Sequence, residues 1–371
     1  MLYNKPVAVL GGGNGAHALA ADLTARGFQV NLYEMPGFKG NMQKVFETKE
    51  IIATGAIEGT FLLNKVTDDI EYALAGVKYI IILTPAFAHD AYARLLKGKV
   101  NSDQVIVSVP GAFAALKLRK ELGDECPTLV DANNLMYDVR LTGPGRVHIL
   151  ELDTIEIGFM PAGRENLYID ELREMFDISG VFSDVLECGL ALVNPALHSG
   201  PCILNAGPIE YRNNDFYLYE HGFTPSASKI DKKIDDERKE VAKGFGYDVN
   251  PFRCFPNIKH LEERGEEYTW QDLYRAAHGD IGLTPISGPN DIRSRYLTED
   301  APCGLVPWSQ LAGVAGVETR TIDSIVNLYS VFHETDWWEE GTLLSDLGLE
   351  GMSVEEIKHY CRSGIKKYSG I

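Results

Sequence analysis

The amino-acid sequence predicts an α/β protein in two domains, an N-terminal doubly wound parallel sheet followed by a mainly α-helical C-terminal domain. Three observations carry this. The chain opens with strand, glycine turn, helix and strand in immediate succession. Apolar runs then alternate with helical stretches, the order of right-handed β–α–β crossovers onto a parallel sheet. After "VFSDVLECGL" the β-branched runs thin out and long helical stretches take over. At 371 residues the chain exceeds the length at which a single core keeps growing, and the change of texture divides it into 1–186 and 187–371.

In "KPVAVLGGGNGAHALAADLTARGFQVNLYEM", residues 6–10 form a short valine-rich run suited to a buried parallel strand. Gly11-Gly12-Gly13-Asn14-Gly15-Ala16 follows and fits G-x-G-x-x-A. Gly11 permits the tight turn, Gly13 lets the backbone approach a pyrophosphate, and Ala16 lets the helix pack close to the strand. The helix beginning here offers free N–H groups and its positive dipole end to phosphates. This is the Rossmann fingerprint in its expected context. "FQVNLYE" is the second strand, with Glu34 at its tip, 23 positions beyond Gly11. A carboxylate there accepts from both ribose hydroxyls and repels a 2′-phosphate; the alternative is a solvated loop charge. The spacing favours the first reading, and with it NAD(H) over NADP(H).

The alternation continues. "VKYIIILTPAFAHDAYARLL" is a buried strand ending at Thr84-Pro85-Ala86 and followed by a helix. "DQVIVSVPGAFAALKLRKEL" repeats the theme with Pro110-Gly111. Loops after such strands lie at the carboxyl edge of the sheet, where Thr84 and Pro85 are expected beside the cofactor. "TLVDANNL" and "RVHILELDTIEIGFMPAG" add strand signals, and "NLYIDELREMF" is an amphipathic helix.

The helical half contains "NPALHSGPCILNAG", residues 194–207. Asn194-Pro195 reads as an N-cap with proline at the first helical position, so Asn194 and His198 share one face. His198 is then either a packed core histidine or an acid/base. Further on, in "RYLTEDAPCGLVP", Arg295 and Asp300 flank a polar turn. A carboxylate on one ring nitrogen fixes the imidazole tautomer and keeps its basicity raised. If Asp300 reaches His198, the pair moves protons; otherwise Asp300 is an N-cap and Arg295 a surface charge. A helical domain packed on a nucleotide-binding sheet places a substrate cleft between the two. "KIDKKIDDERKE" reads mostly as a solvated face with i,i+4 ion pairs, its Asp-Glu-Arg able to pair internally, and "DWWEE" as an amphipathic anchor.

The formal net charge of −18 argues against nucleic acid and anionic membrane as partners. No run reaches the length of a membrane span, and the first residues lack the pattern of a signal peptide. Cys126, Cys188, Cys202, Cys254, Cys303 and Cys361 are scattered without C-x-x-C or zinc spacing. The nine histidines show no metal motif. A cytoplasmic protein with reduced thiols and no metal is expected. Of assemblies, a homodimer is the one considered.

At this point the residues resemble a known family, the opine dehydrogenases (octopine, nopaline and N-(carboxyalkyl)amino acid dehydrogenases). The resemblance spans nearly the whole chain. It rests on "AVLGGGNGAHALA", "NPALHSGPCILNAG", "GFTPSASKIDKKIDDERKEVAKGFG", and "RYLTEDAPCGLVPWSQLA" with "TIDSIVNL". It implies a Rossmann domain plus a helical opine dehydrogenase domain. The implied reaction condenses an L-amino acid with a 2-keto acid, often pyruvate, using NAD(P)H. The family histidine that transfers protons falls on His198, its carboxylate partner on Asp300, and Asn194 stands where relatives also have Asn. The family arginine that senses the cofactor pyrophosphate falls on Arg295. Val139 before Arg140 in "LMYDVRLTGPG" departs from relatives with Cys there, in a loop expected to shape the substrate pocket. Arg293 and "PGAF" are candidates for the keto-acid carboxylate. Two rival readings are a glycerol-3-phosphate or ketopantoate reductase type and a non-catalytic NADH sensor. The first places a Lys in the catalytic helix, which this stretch lacks, and the second should have lost the His/Asp pair.

Overall fold

The computed structural model describes residues 6–123, 126–211, 215–249, 252, 255–278 and 287–366; Cys254 lies outside them. The chain forms two compact units. One runs to Gly189 and takes back Tyr360–Ile365, a return that a linear boundary at 186 does not contain; the other runs from Leu190 to His359. Among the described residues no helix is long and apolar enough to cross a membrane.

The strands of the first unit are β1 (Pro6–Leu10), β2 (Gln29–Tyr33), β3 (Glu50–Gly55), β4 (Gly59–Leu62), β5 (Lys65–Thr67) and β6 (Tyr79–Ile82). They continue with β7 (Val105–Ser108), β8 (Thr128–Ala132), β9 (Tyr137–Gly143), β10 (Arg146–Leu152), β11 (Ile155–Met160) and β12 (Ile178–Val181). Eight of them form the main sheet in the order β12-β11-β8-β7-β6-β1-β2-β5. From β5 to β8 every pairing is parallel. The central strands β6, β7 and β8 are buried along their whole length, which is why their sequences are continuous apolar runs rather than alternating ones.

Two details refine the parallel sheet. β11 pairs antiparallel with β8, so the sheet is parallel in its majority. Arg146–Leu152 is a strand, as expected, but lies outside the main sheet. It pairs with β9 and, in parallel, with β3, making a second sheet of order β4-β3-β10-β9. "LMYDVRLTGPG", expected as a loop, is largely strand β9 for the same reason.

Strand order reverses at β1, which lies between β6 and β2. Leu10 is in register with Tyr33 on one side and Ile82 on the other. The residues that follow, Gly11, Glu34 and Leu83-Thr84, are therefore brought side by side at the carboxyl edge, the position where open α/β sheets bind ligands.

The second unit is helical: Asn194–Leu204, Pro225–Gly244, Val306–Ala315 and Arg320–His333 are its longer helices. Thr224 caps the second of these, accepting from Ala227 N at 3.2 Å, with Pro225 at the first position. The "KIDKKIDDERKE" face does carry the i,i+4 pair Lys232–Asp236 and is mostly open to solvent, but four of its ten charged residues are not. Asp231, Asp235, Glu237 and Arg238 are buried. Arg238 pairs with Asp235 and donates to the carbonyls of Leu190 (2.9 Å) and Leu192 (3.2 Å). Glu237 accepts from the backbone of Thr321 and Ile322, satisfying the open N-terminus of Arg320–His333. Asp235, Glu237 and Arg238 are retained as buried charge because each has partners, whereas burial pushes the Asp231 carboxyl well up and its Oδ2 has no partner among the described residues. "DWWEE" forms the short helix Trp337–Glu340, whose indoles donate to His333 Nδ1 and Asn327 Oδ1.

Candidate active site

In the first unit the glycine turn is shaped by steric need. Gly11 has φ +127°, and a Cβ there would sit 2.5 Å from the Leu83 carbonyl oxygen. Gly13 faces open space, while a side chain on Gly15 would collide with Leu83, so the demand for close packing falls on Gly15 as well as on the buried Ala16. The helix Asn14–Ala25 starts from Gly13 with no side-chain cap, leaving its first N–H groups available to an anion. The Asn14 carboxamide turns aside to accept from Leu141 N at 2.9 Å, tying the turn to β9.

Glu34 is almost fully buried. Its Oε1 accepts from Met35 N (2.7 Å) and Tyr92 O–H (3.2 Å), and a Cβ on Gly12 would come 2.5 Å from Oε2. The carboxylate thus reaches back over the glycine turn. Burial raises its pKa above the ordinary carboxylate value, opposed by the Met35 and Tyr92 donors. Thr84 stands beyond β6 with a buried Oγ1 that has no partner among the described residues, and Pro85 opens the short turn after it. An open cradle at Gly13, an uncapped helix and an orphaned hydroxyl fit a dinucleotide.

In the second unit the helix Asn194–Leu204 holds His198. Its cap residue is Val193, so Asn194 is the first helical residue and not the N-cap; it still lies one turn before His198. His198 Nδ1 is 2.6 Å from Asp300 Oδ2, across 102 residues of sequence, and both side chains are about nine-tenths buried. Asp300 directly precedes the one-turn π-helix Ala301–Leu305 but caps nothing, because its carboxylate is committed to the imidazole. Sequence reasoning missed two further neighbours. Tyr219 O–H lies 3.0 Å from His198 Nε2, and the Tyr296 ring meets the imidazole edge-on at 4.7 Å between centroids. The signals available were the aromatic run "FYLYEHG" and the tyrosine beside Arg295.

Arg295 opens the short helix Arg295–Thr298, half-exposed, 4.0 Å from Glu299 and over the Tyr296 ring at 5.8 Å. Arg293 donates to the His333 carbonyl at 3.3 Å. In the "PGAF" loop Ala112 and Phe113 adopt positive φ, and Gly111 backs onto Asp131. Among the described residues no cluster of His, Cys, Asp and Glu is arranged to hold a metal.

A dinucleotide-binding sheet and a buried His–Asp couple in a helical unit define the class of two-domain nicotinamide-dependent dehydrogenases. Residues 181–333 match the family model described as NAD/NADP octopine/nopaline dehydrogenase, alpha-helical domain. Over 364 residues the chain is 30% identical to an opine dehydrogenase of Arthrobacter sp. (strain 1C), covering 96% of this chain and 99% of that one. It shares its fold with a solved octopine dehydrogenase in complex with NADH and agmatine (TM-score 0.75, 19% identity, 99% and 100% of the two chains). A second octopine dehydrogenase structure, with NADH and pyruvate, gives a TM-score of 0.73 at 20% identity over the same shares. The chain belongs to the opine dehydrogenase family, oxidoreductases that use a nicotinamide cofactor on the CH–NH group of secondary amines.

Proposed function

We propose that this chain joins the amino group of an L-amino acid to a 2-keto acid, with pyruvate favoured, and reduces the product with NADH to an N-(carboxyalkyl)amino acid. The observation that carries the chemistry is the 2.6 Å contact between His198 Nδ1 and Asp300. A carboxylate only accepts, so Nδ1 keeps its proton and Nε2 is the nitrogen that exchanges one. Asp300 also stabilises the imidazolium when it forms. The amine adds to the keto carbon, and the resulting carbinolamine must lose water. His198, as imidazolium, supplies the proton that lets the hydroxyl leave, a role worth about 10²–10⁴-fold in rate. The nicotinamide, when bound, supplies the hydride.

Gly11, Gly13, Gly15, Glu34, Thr84 and Pro85 are assigned to the cofactor. Glu34 supports NADH over NADPH, because a buried carboxylate beside the glycine turn opposes a 2′-phosphate. Arg295 is permanently cationic and only loosely paired at 4.0 Å, so we assign it to the pyrophosphate. Asn194, on the face of His198, is assigned to orienting substrate.

The experiment is a panel of L-amino acids against pyruvate and glyoxylate, followed at the nicotinamide absorbance, with His198→Gln alongside. Amine-dependent NADH oxidation that falls by about 10²–10⁴-fold in the variant, with NADH affinity kept, is expected. NADH oxidation by a keto acid without amine overturns the reading in favour of an ordinary keto reductase. Unchanged turnover in His198→Gln removes the imidazole from the mechanism.

A further inference from the structure

The nitrogen on which the proposed function depends is already engaged. With Nδ1–H given to Asp300, Nε2 of the neutral imidazole is an acceptor, and the Tyr219 hydroxyl 3.0 Å away is its donor. Tyr219 belongs to the one-turn π-helix Leu218–Gly222, an uncommon element that recurs at functional sites. The phenol is held rather than loose: it is buried, and its ring stacks on Phe223 at 5.5 Å with 14° between the planes. Among the described residues, the titratable groups around the imidazole and its carboxylate are Asp300, Tyr219 and Tyr296, with Arg295 beyond Tyr296, Cys202 further along the helix of His198, and Tyr329 and Asp231 beyond these. A proton leaving Nε2 for a substrate must displace Tyr219 or pass through it, and the stacked, buried ring favours passage.

We propose that Tyr219 is a second proton-transfer residue, relaying between His198 and the substrate oxygen. In the synthetic direction Nε2–H of the imidazolium passes to the phenol oxygen as the phenol O–H passes to the carbinolamine hydroxyl. The C–O bond breaks, water leaves, and the nitrogen lone pair closes the C=N bond. The positive charge moves from the imidazolium to the iminium, so atoms and charge balance. In the reverse direction Tyr219 takes a proton from the attacking water and hands one to Nε2. This inference rests on the reductive condensation proposed above.

The test is Tyr219→Phe, which keeps the ring on Phe223 and deletes the hydroxyl, measured beside the wild-type enzyme. A fall in kcat of roughly 10- to 100-fold is expected. KM values and NADH affinity should stay within about threefold, the range left when an interaction made only in the transition state is removed. The limb of the kcat–pH profile should be displaced. Wild-type enzyme without amine-dependent turnover fells both the reading of the reaction and this relay. Amine-dependent wild-type turnover with unchanged kcat and pH profile in Tyr219→Phe overturns the relay alone. So does a rise in kcat, which would make the phenol a plug on Nε2. If Tyr219→Phe fails to fold by circular dichroism, 3-fluorotyrosine at position 219 keeps the hydroxyl and acidifies it; an unmoved pH profile then overturns the relay.

Discussion

The two units build their sites from different materials. In the first, the proposed cofactor cradle is backbone: a turn at Gly11, open space at Gly13 and the uncapped start of a helix, all within a few residues of one another. In the second, the site is side chain. His198, Tyr219, and Tyr296 with Asp300 come from three segments, and His198 meets Asp300 across 102 residues. A backbone cradle needs only small residues in a fixed local order. A side-chain site needs its supporting helices locked, and here buried polar contacts perform the locking. Gly200 N donates to Asp231 at 2.8 Å, and Tyr329 O–H to the Ser199 carbonyl at 3.2 Å, on the turn that follows His198.

The comparison breaks most visibly at Asp235. Asp235→Ala takes the paired carboxylate from the fully buried Arg238 and removes the acceptor of Tyr268 O–H. Loss of one partner of a buried pair costs about 3–5 kcal/mol. Urea unfolding should show a loss of that size; a loss under about 1 kcal/mol, the range of an exposed pair, would mean that buried charge does not organise the helical unit.

A smaller effect belongs to Asp131 in the first unit, whose carboxyl burial pushes up to about 7 against the Ala115 N–H donor. The folded chain therefore keeps a proton up to about pH 7 that the unfolded chain releases near pH 4. Stability contributed by this group is present below that lower value and declines as pH rises through the window. Asp131→Asn removes the dependence, so its unfolding free energy should improve on wild type between pH 4 and 7 by at most a few kcal/mol, about 1.4 for each pH unit. A difference that stays flat with pH would show Asp131 to be ionised in the fold.

The smallest effect sharpens the comparison. If the first unit binds mainly by backbone, Glu34→Gln should alter choice of cofactor and leave binding competence intact. The ratio of kcat/KM for NADPH over NADH should rise about tenfold, roughly 1.4 kcal/mol. An unchanged ratio would free Glu34 from cofactor selection.

Legibility followed the same division. The glycine turn, Glu34 and the β6 tip were readable because parallel register places consecutive strand ends together. The meeting of His198 with Asp300 was readable only as one of two alternatives, and Tyr219 not at all, since no spacing rule joins a π-turn to a helix of a separate segment. In "KIDKKIDDERKE" the solvated face and the internal Asp235–Arg238 pair were readable, but which charges are buried was not, for a related reason. A run of charges looks the same whether it faces water or the backbone groups of distant segments, as Glu237 and Arg238 do. The second sheet was missed because β3 and β10 lie far apart in sequence and each is too short to declare its partner.

By itself, then, the sequence determined the alternation of strands and helices, the glycine turn and the residues able to carry chemistry, all of which depend on interactions among near neighbours. Tertiary structure alone decided the antiparallel β11, the second sheet, the burial of Asp231, Asp235, Glu237 and Arg238 and the phenol on His198 Nε2. Those depend on which surfaces exclude water from one another, a property of contacts between segments that no local pattern contains.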